Sequence, residues 1–299
     1  MSRAGEMASG AANPVGQDLD GKTVVITGAT GGIGLETAVV LASRGARLAL
    51  VGRDRTRGEA ALARIRGAAP GVVAEMHHAD LSRLDEVRSL AETLNAALPR
   101  IDVLLNNAGG MFARREETAD GLERTFALNH MAYVALSLAL REKLVASAPA
   151  RIVNVASEAH RGVTLDLDDL QATRGYAWWP VYRRSKLANI LFTRELARRL
   201  AGTGVTVNCL HPGFVATGIG NNNGGVYGLG MRLAKLFALS LDAGARTPIH
   251  VVTAPELATT TGTYVVKSRV TEPSGAARDD AVARRLWDQS LAIAGLTDS

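Results

Sequence analysis

The chain has 299 residues, of which 47% are apolar, with 34 basic and 29 acidic side chains and a formal charge of +5. That length and apolar share suit one large α/β domain with ample core. Acids and bases interleave, no long basic run or aromatic–basic alternation appears, and only five of the 34 basic residues are Lys; a nucleic-acid partner is therefore not expected.

Further functions are disfavoured residue by residue. The single Cys209 falls in an apolar strand, so no disulfide is available and a reducing compartment fits. His77, His78, His130, His160, His211 and His250 show no metal-like spacing with Cys or acids, so no metal site is expected. The longest uncharged apolar run, residues 131–140, is too short to span a bilayer, and no signal-peptide pattern opens the chain. A soluble cytoplasmic protein is the expectation, and a homo-oligomer stays open.

Residues 1–20, rich in Ala, Gly and Ser, read as a disordered tail before one domain over 21–299. Strands are expected near 22–27, 46–51, 72–77, 101–106, 150–156, 204–210 and 262–267. They alternate with helical segments, as a doubly wound sheet of seven parallel strands requires. The first strand runs into Thr27-Gly-Ala-Thr-Gly-Gly-Ile-Gly34, and residues 35–46 follow with helical apolar spacing. Glycines at a strand-to-helix turn let the backbone pass close under a pyrophosphate and leave helix N-terminal amides facing its charge. Strand, turn and helix stand in the order a dinucleotide site needs.

After the second strand comes Gly52-Arg53-Asp54. A site selective for NAD places a carboxylate at this strand end to accept the ribose 2′-hydroxyl. Here Gly52 leaves room and Arg53 can pair with a 2′-phosphate, which favours NADP(H). The competing reading makes Arg53 a surface residue and Asp54 the ribose acceptor. Asp80-Leu81 ends the third strand, where Asp80 or Ser82 could instead cap the next helix. Then follow Asn106-Asn-Ala-Gly109, Asn129 in a helical stretch, Ser157 ending a strand, Tyr182-Arg-Arg-Ser-Lys186, and Pro212-Gly213 after the sixth strand.

These motifs, in this order over residues 20–295, resemble the short-chain dehydrogenase/reductase family. Residues 151–160, 185–200 and 284–288, with the long Ser157–Tyr182 gap, resemble its retinol dehydrogenase-like branch. The resemblance implies a Rossmann-type domain and hydride transfer between a nicotinamide and a carbonyl/alcohol pair. It assigns Tyr182 as general acid/base and Lys186 to tuning Tyr182 and binding the nicotinamide ribose. Ser157 would hold the carbonyl oxygen, and Asn129 a water linking Lys186 to solvent. A lysine ammonium one helical turn away would favour the phenolate and lower a tyrosine pKa near 10. Cofactor contacts are carried to Gly28, Thr30, Gly31, Gly32, Ile33, Gly34, Arg53, Asp80, Leu81, Asn107, Ala108, Gly109, Tyr182, Lys186, Pro212, Gly213, Val215 and Thr217.

Tyr176, Trp178, Trp179 and Pro180 precede the tyrosine in a chain poor in aromatics. They either wall a pocket for a flat apolar substrate or pack a loop onto the domain. Residues 214–242 begin Gly- and Asn-rich and become amphipathic, with a substrate lid as the first reading. A membrane-surface helix and a subunit contact are the others. The expected function is an NADP(H)-dependent oxidoreductase acting on a lipophilic carbonyl or alcohol, such as a retinal-like aldehyde or an aromatic polyketide ketone. The alternative is a catalytically idle NADP-binding regulator on the same fold.

Overall fold

The computed structural model describes residues 18–213 and 240–297. Seven of the described strands run parallel: β1 (Thr23–Thr27), β2 (Arg47–Gly52), β3 (Ala74–His78), β4 (Val103–Asn106), β5 (Ala150–Val155), β6 (Val205–His211) and β7 (Tyr264–Val266). The sheet order is β3-β2-β1-β4-β5-β6-β7, and an eighth strand, β8 (Arg269–Thr271), adds antiparallel to β7 at the edge. The sequence reading missed β8. Its hairpin turn is Lys267-Ser268, both at positive φ (49° and 58°), a conformation usually flagged by Asn-Gly or Asp-Gly.

Burial on both faces explains the strand composition. In β1, Val24 and Ile26 join Leu41 of α1 (Gly32–Ser43) and Ile65 of α2 (Arg55–Ala68) in one core layer. Val25 faces the opposite layer, with Val87 and Leu94 of α3 (Leu84–Ala97). A parallel strand covered on both sides must be apolar throughout rather than alternating. β4 leads to α4 (Arg124–Phe126), a π-turn (Ala127–Met131) and α5 (Ala132–Ala139), then α6 (Arg141–Ala146). Buried Glu123 caps the first of these by accepting from the amides of Thr125 and Phe126. α7 (Trp178–Arg199) leads into β6, while α8 (Leu241–Thr253) and α9 (Asp280–Ala294) complete the two faces.

Two boundaries differ from expectation. The first helix starts at Gly32 rather than residue 35. Asp18 and Leu19, inside the expected tail, are held: Leu19 is buried and bonded to Arg44 O, and Asp18 pairs with the Arg44 guanidinium. Among the described residues no helix is long and apolar enough to cross a membrane, and no His/Cys/Asp/Glu group could hold a metal. Order reverses at β1, which lies between β2 and β4. In open α/β sheets the crevice at the carboxyl ends of such strands is the binding site.

Candidate active site

A cavity of about 390 Å³ opens at that switch point. It brings together Gly28, Thr30, Gly31, Gly32, Ile33, Gly34, Arg53, Asp80, Leu81, Asn107, Ala108, Gly109, Ser157, Tyr182, Lys186, Pro212 and Gly213. Val215, Thr217 and the expected lid over 214–239 lie outside the described residues.

Close approach at the first turn is possible only for glycine. Gly28 has φ +67°, and a Cβ on it would sit 2.9 Å from Ala108 Cα. A Cβ on Gly34 would lie 2.5 Å from both Gly28 O and Asn107 Nδ2. Thr27 ties the turn to the neighbouring strand end, its Oγ1 accepting from the amides of Asn107 (2.8 Å) and Ala108 (3.0 Å). Asn107 answers by donating to Thr27 O at 2.8 Å. No described side chain caps α1, so its first amides face the cavity as an anion cradle. The cradle fits a dinucleotide pyrophosphate.

At the far end of the cavity, Asp54 is committed to α2. It is the N-cap and its Oδ1 accepts from Arg57 N at 2.9 Å. The cap uses one carboxylate oxygen, and Asp54 still lines the cavity beside Arg53. Arg53 is half exposed (52%) and 3.9 Å from Asp80 Oδ2, a loose pair that leaves its guanidinium available. Asp80 itself accepts from Ser82 N and Oγ, while the first amide of α3 is capped from a distance by Asp120 at 2.9 Å.

Sequence reasoning missed Arg57. It lines the cavity, and its Nη2 would be 2.9 Å from a Cβ on Gly31. A signal was present: Arg55 and Arg57 fall in the first turn of α2, with no acid there. Cations oppose the helix dipole at that end, so their placement points to an anion nearby.

The other end is built from buried side chains. Asn129 is fully buried in the π-turn. Its Nδ2 donates to Gly110 O (3.0 Å) and Ser185 Oγ (3.0 Å), and its Oδ1 accepts from Gly110 N (2.8 Å). Ser185 Oγ in turn donates to Tyr182 O at 2.7 Å. Asn129 thus clamps the loop after β4 to the helix carrying Tyr182 and Lys186. Its amide hydrogens are spent, so a water relay would have to use the remaining Oδ1 lone pair. The π-turn, which the sequence reading took as plain helix, places this side chain.

Tyr182 and Lys186 lie one turn apart on α7, with Lys186 Nζ 5.7 Å from the Tyr182 ring centroid and donating to Val155 O at 3.1 Å. A Cβ on Gly109 would lie 3.5 Å from Lys186 Nζ and 3.2 Å from Asn129 Oδ1, so these groups converge on one glycine. The expected lowering of the tyrosine pKa does not appear. Burial pushes Tyr182 above its ordinary value, only partly countered by a hydrogen bond with Ser157, and burial lowers Lys186 to about 7. Both groups leave water together, and desolvation disfavours the charged form of each. This direction favours the protonated hydroxyl, the form that can donate.

Met111, Phe112, Leu128 and Trp179 add apolar lining. None was singled out from sequence except Trp179. His211 also lines the cavity, with burial lowering it to about 4, so it is uncharged at neutral pH.

The short chain dehydrogenase family profile matches residues 22–227. This chain belongs to that family. It is accordingly an oxidoreductase of the short-chain dehydrogenase/reductase type, acting on CH–OH groups with a nicotinamide cofactor. Human retinol dehydrogenase 13 is 40% identical over 298 residues, covering 97% of this chain and 90% of the relative. A solved structure of an uncharacterised Mycobacterium paratuberculosis protein superposes with TM-score 0.77 at 31% identity, covering 94% of this chain and 96% of that one. A short chain dehydrogenase from Burkholderia cenocepacia, solved in complex with NADP, has TM-score 0.66 at 29% identity, covering 87% and 99%.

Proposed function

We propose that this short-chain dehydrogenase is an NADP(H)-dependent enzyme interconverting a lipophilic carbonyl and its alcohol. The observation that carries the reading is the convergence of Ser157, Tyr182 and Lys186 in one cavity whose opposite end holds the guanidinium groups of Arg53 and Arg57. Its likeness to a retinol dehydrogenase and to an NADP-bound relative supports the same choice.

The chain's residues divide the work. Gly28, Gly34 and the open amides of α1 would hold the pyrophosphate, Arg53 and Arg57 the 2′-phosphate, and Lys186 the nicotinamide ribose. Bound there, NADP(H) supplies or takes the hydride. Ser157 and the Tyr182 hydroxyl hold the substrate oxygen and stabilise charge developing on it. In reduction Tyr182 gives its proton to that oxygen; in oxidation it takes the proton back. Met111, Phe112 and Leu128 exclude water from the reacting carbon and favour an apolar substrate body.

The test is NADPH oxidation with a panel of aldehydes and aromatic ketones. Turnover of lipophilic members is expected. Tight NADP binding with no turnover of any member would instead identify an idle cofactor-binding regulator.

A further inference from the structure

One exposed aromatic is unaccounted for by the chemistry. Trp179 is 42% exposed, among the few large apolar side chains so placed. It lies one helical turn before Tyr182 and stacks on its ring, with centroids 5.7 Å apart and planes within 17°. It also lines the cavity. Trp178 packs on it at 5.6 Å, tilted 56°, and the Tyr176 hydroxyl donates to Phe112 O at 2.5 Å. That bond ties the segment before α7 to the loop after β4.

We propose that Trp179 is a specificity-determining residue, a flat platform continuing the Tyr182 ring that selects carbonyls conjugated to a planar system over saturated ones of the same size. This rests on the carbonyl reading above. A carbonyl oxygen that reaches the Tyr182 hydroxyl brings its substituent beside the exposed indole. The neighbouring lining (Met111, Phe112 and Leu128) is apolar, while the charged lining groups lie at the phosphate end or at Lys186. An indole face therefore meets the substituent beside apolar lining. Planar rings gain from offset stacking beyond the area they bury, whereas a puckered ring gains burial alone.

The experiment compares trans-cinnamaldehyde with cyclohexylpropanal, in wild type, Trp179→Ala and Trp179→Phe. Binding is measured calorimetrically to the NADP⁺-saturated protein, in which neither aldehyde can be reduced. NADPH-dependent turnover is measured separately as kcat and KM. Wild type should prefer the conjugated aldehyde by roughly two- to tenfold in binding, the span of one aromatic pair. Trp179→Ala should erase that ratio and Trp179→Phe restore most of it. An unchanged ratio in Trp179→Ala, no preference in wild type, or no binding of either aldehyde overturns the platform. Preference lost in Trp179→Ala without turnover of any carbonyl upholds the platform and overturns the reductase reading. Turnover with an unaltered ratio does the reverse.

Discussion

The two ends of the cavity are built from different materials. The phosphate end is mostly backbone: glycines whose missing Cβ atoms make room, amides left open at the start of α1, and two arginines at the surface. The reactive end sets half-buried Ser157 and Tyr182 on a buried polar support, with Asn129, Ser185 and Lys186 at most 3% exposed and Asn129 bonded to Gly110 and Ser185. A backbone cradle fails through a steric intrusion, whereas a buried polar cluster fails through an unmatched group or a shifted pKa. Substitutions at the two ends should therefore leave different signatures.

The largest effect is expected at the reactive end. Lys186→Ala should lower kcat/KM for carbonyl reduction by about a hundredfold or more, the range of a lost proton-transfer partner, and weaken NADPH binding as well. Steady-state kinetics and cofactor titration check both. Binding unimpaired by Lys186→Ala would remove the lysine from the ribose.

At the other end, Gly34→Ala places a methyl where 2.5 Å separates it from Gly28 O. Overpacking of this kind costs about 1–3 kcal/mol. Denaturant unfolding should show that loss together with weaker binding of both NADPH and NADH. Normal stability and binding would mean the turn relaxes freely, and the cradle is less rigid than described.

Smaller and more selective is the arginine effect. Arg53→Ala and Arg57→Ala should each weaken NADPH by roughly tenfold, the lower range for a hydrogen bond to a charged group, and leave NADH nearly unchanged. The dissociation constants of both cofactors decide it. Gly52→Asp is a poor companion test alone, because its Cβ would lie 2.3 Å from Thr30 Cγ2. Paired with Thr30→Ser it should shift preference toward NADH, through repulsion of the phosphate.

A further contrast separates the ends by pH. Lys186 titrates near 7 when folded against 10.5 as an ordinary lysine. Above pH 7 the unfolded chain holds more protons, so this group makes stability rise with pH, by about 1 kcal/mol per unit up to pH 9. Beyond that, the raised Cys209 and Tyr182 act in the opposite direction. Lys186→Met should flatten the rise seen by thermal unfolding between pH 7 and 9, and Arg53→Ala should not.

The same contrast governs what could be read from the chain. The cradle was legible because glycine spacing between a strand and a helix is itself the constraint. Tyr182, Lys186, Ser157 and Pro212 were legible as spaced types. Less visible were features set by tertiary packing. The π-turn that aims Asn129 and the remote cap from Asp120 have no local signature. The Lys267-Ser268 hairpin that adds β8 lacks the usual turn residues. The direction of the Tyr182 shift was also out of reach, since spacing reports the lysine's distance along a helix but not how dry the pocket is. Arg57 could have been found from the charge-opposed first turn of α2.

The most direct test of the central claim is Tyr182→Phe, which removes one hydroxyl and leaves the stack with Trp179 and the cradle in place. NADPH titration and single-turnover reduction of a lipophilic aldehyde should be measured on the same preparation. Wild-type cofactor affinity with reduction slowed by at least about a hundredfold is the predicted result. Reduction at a rate near wild type would contradict the assignment of Tyr182 as the proton donor, and with it the mechanism.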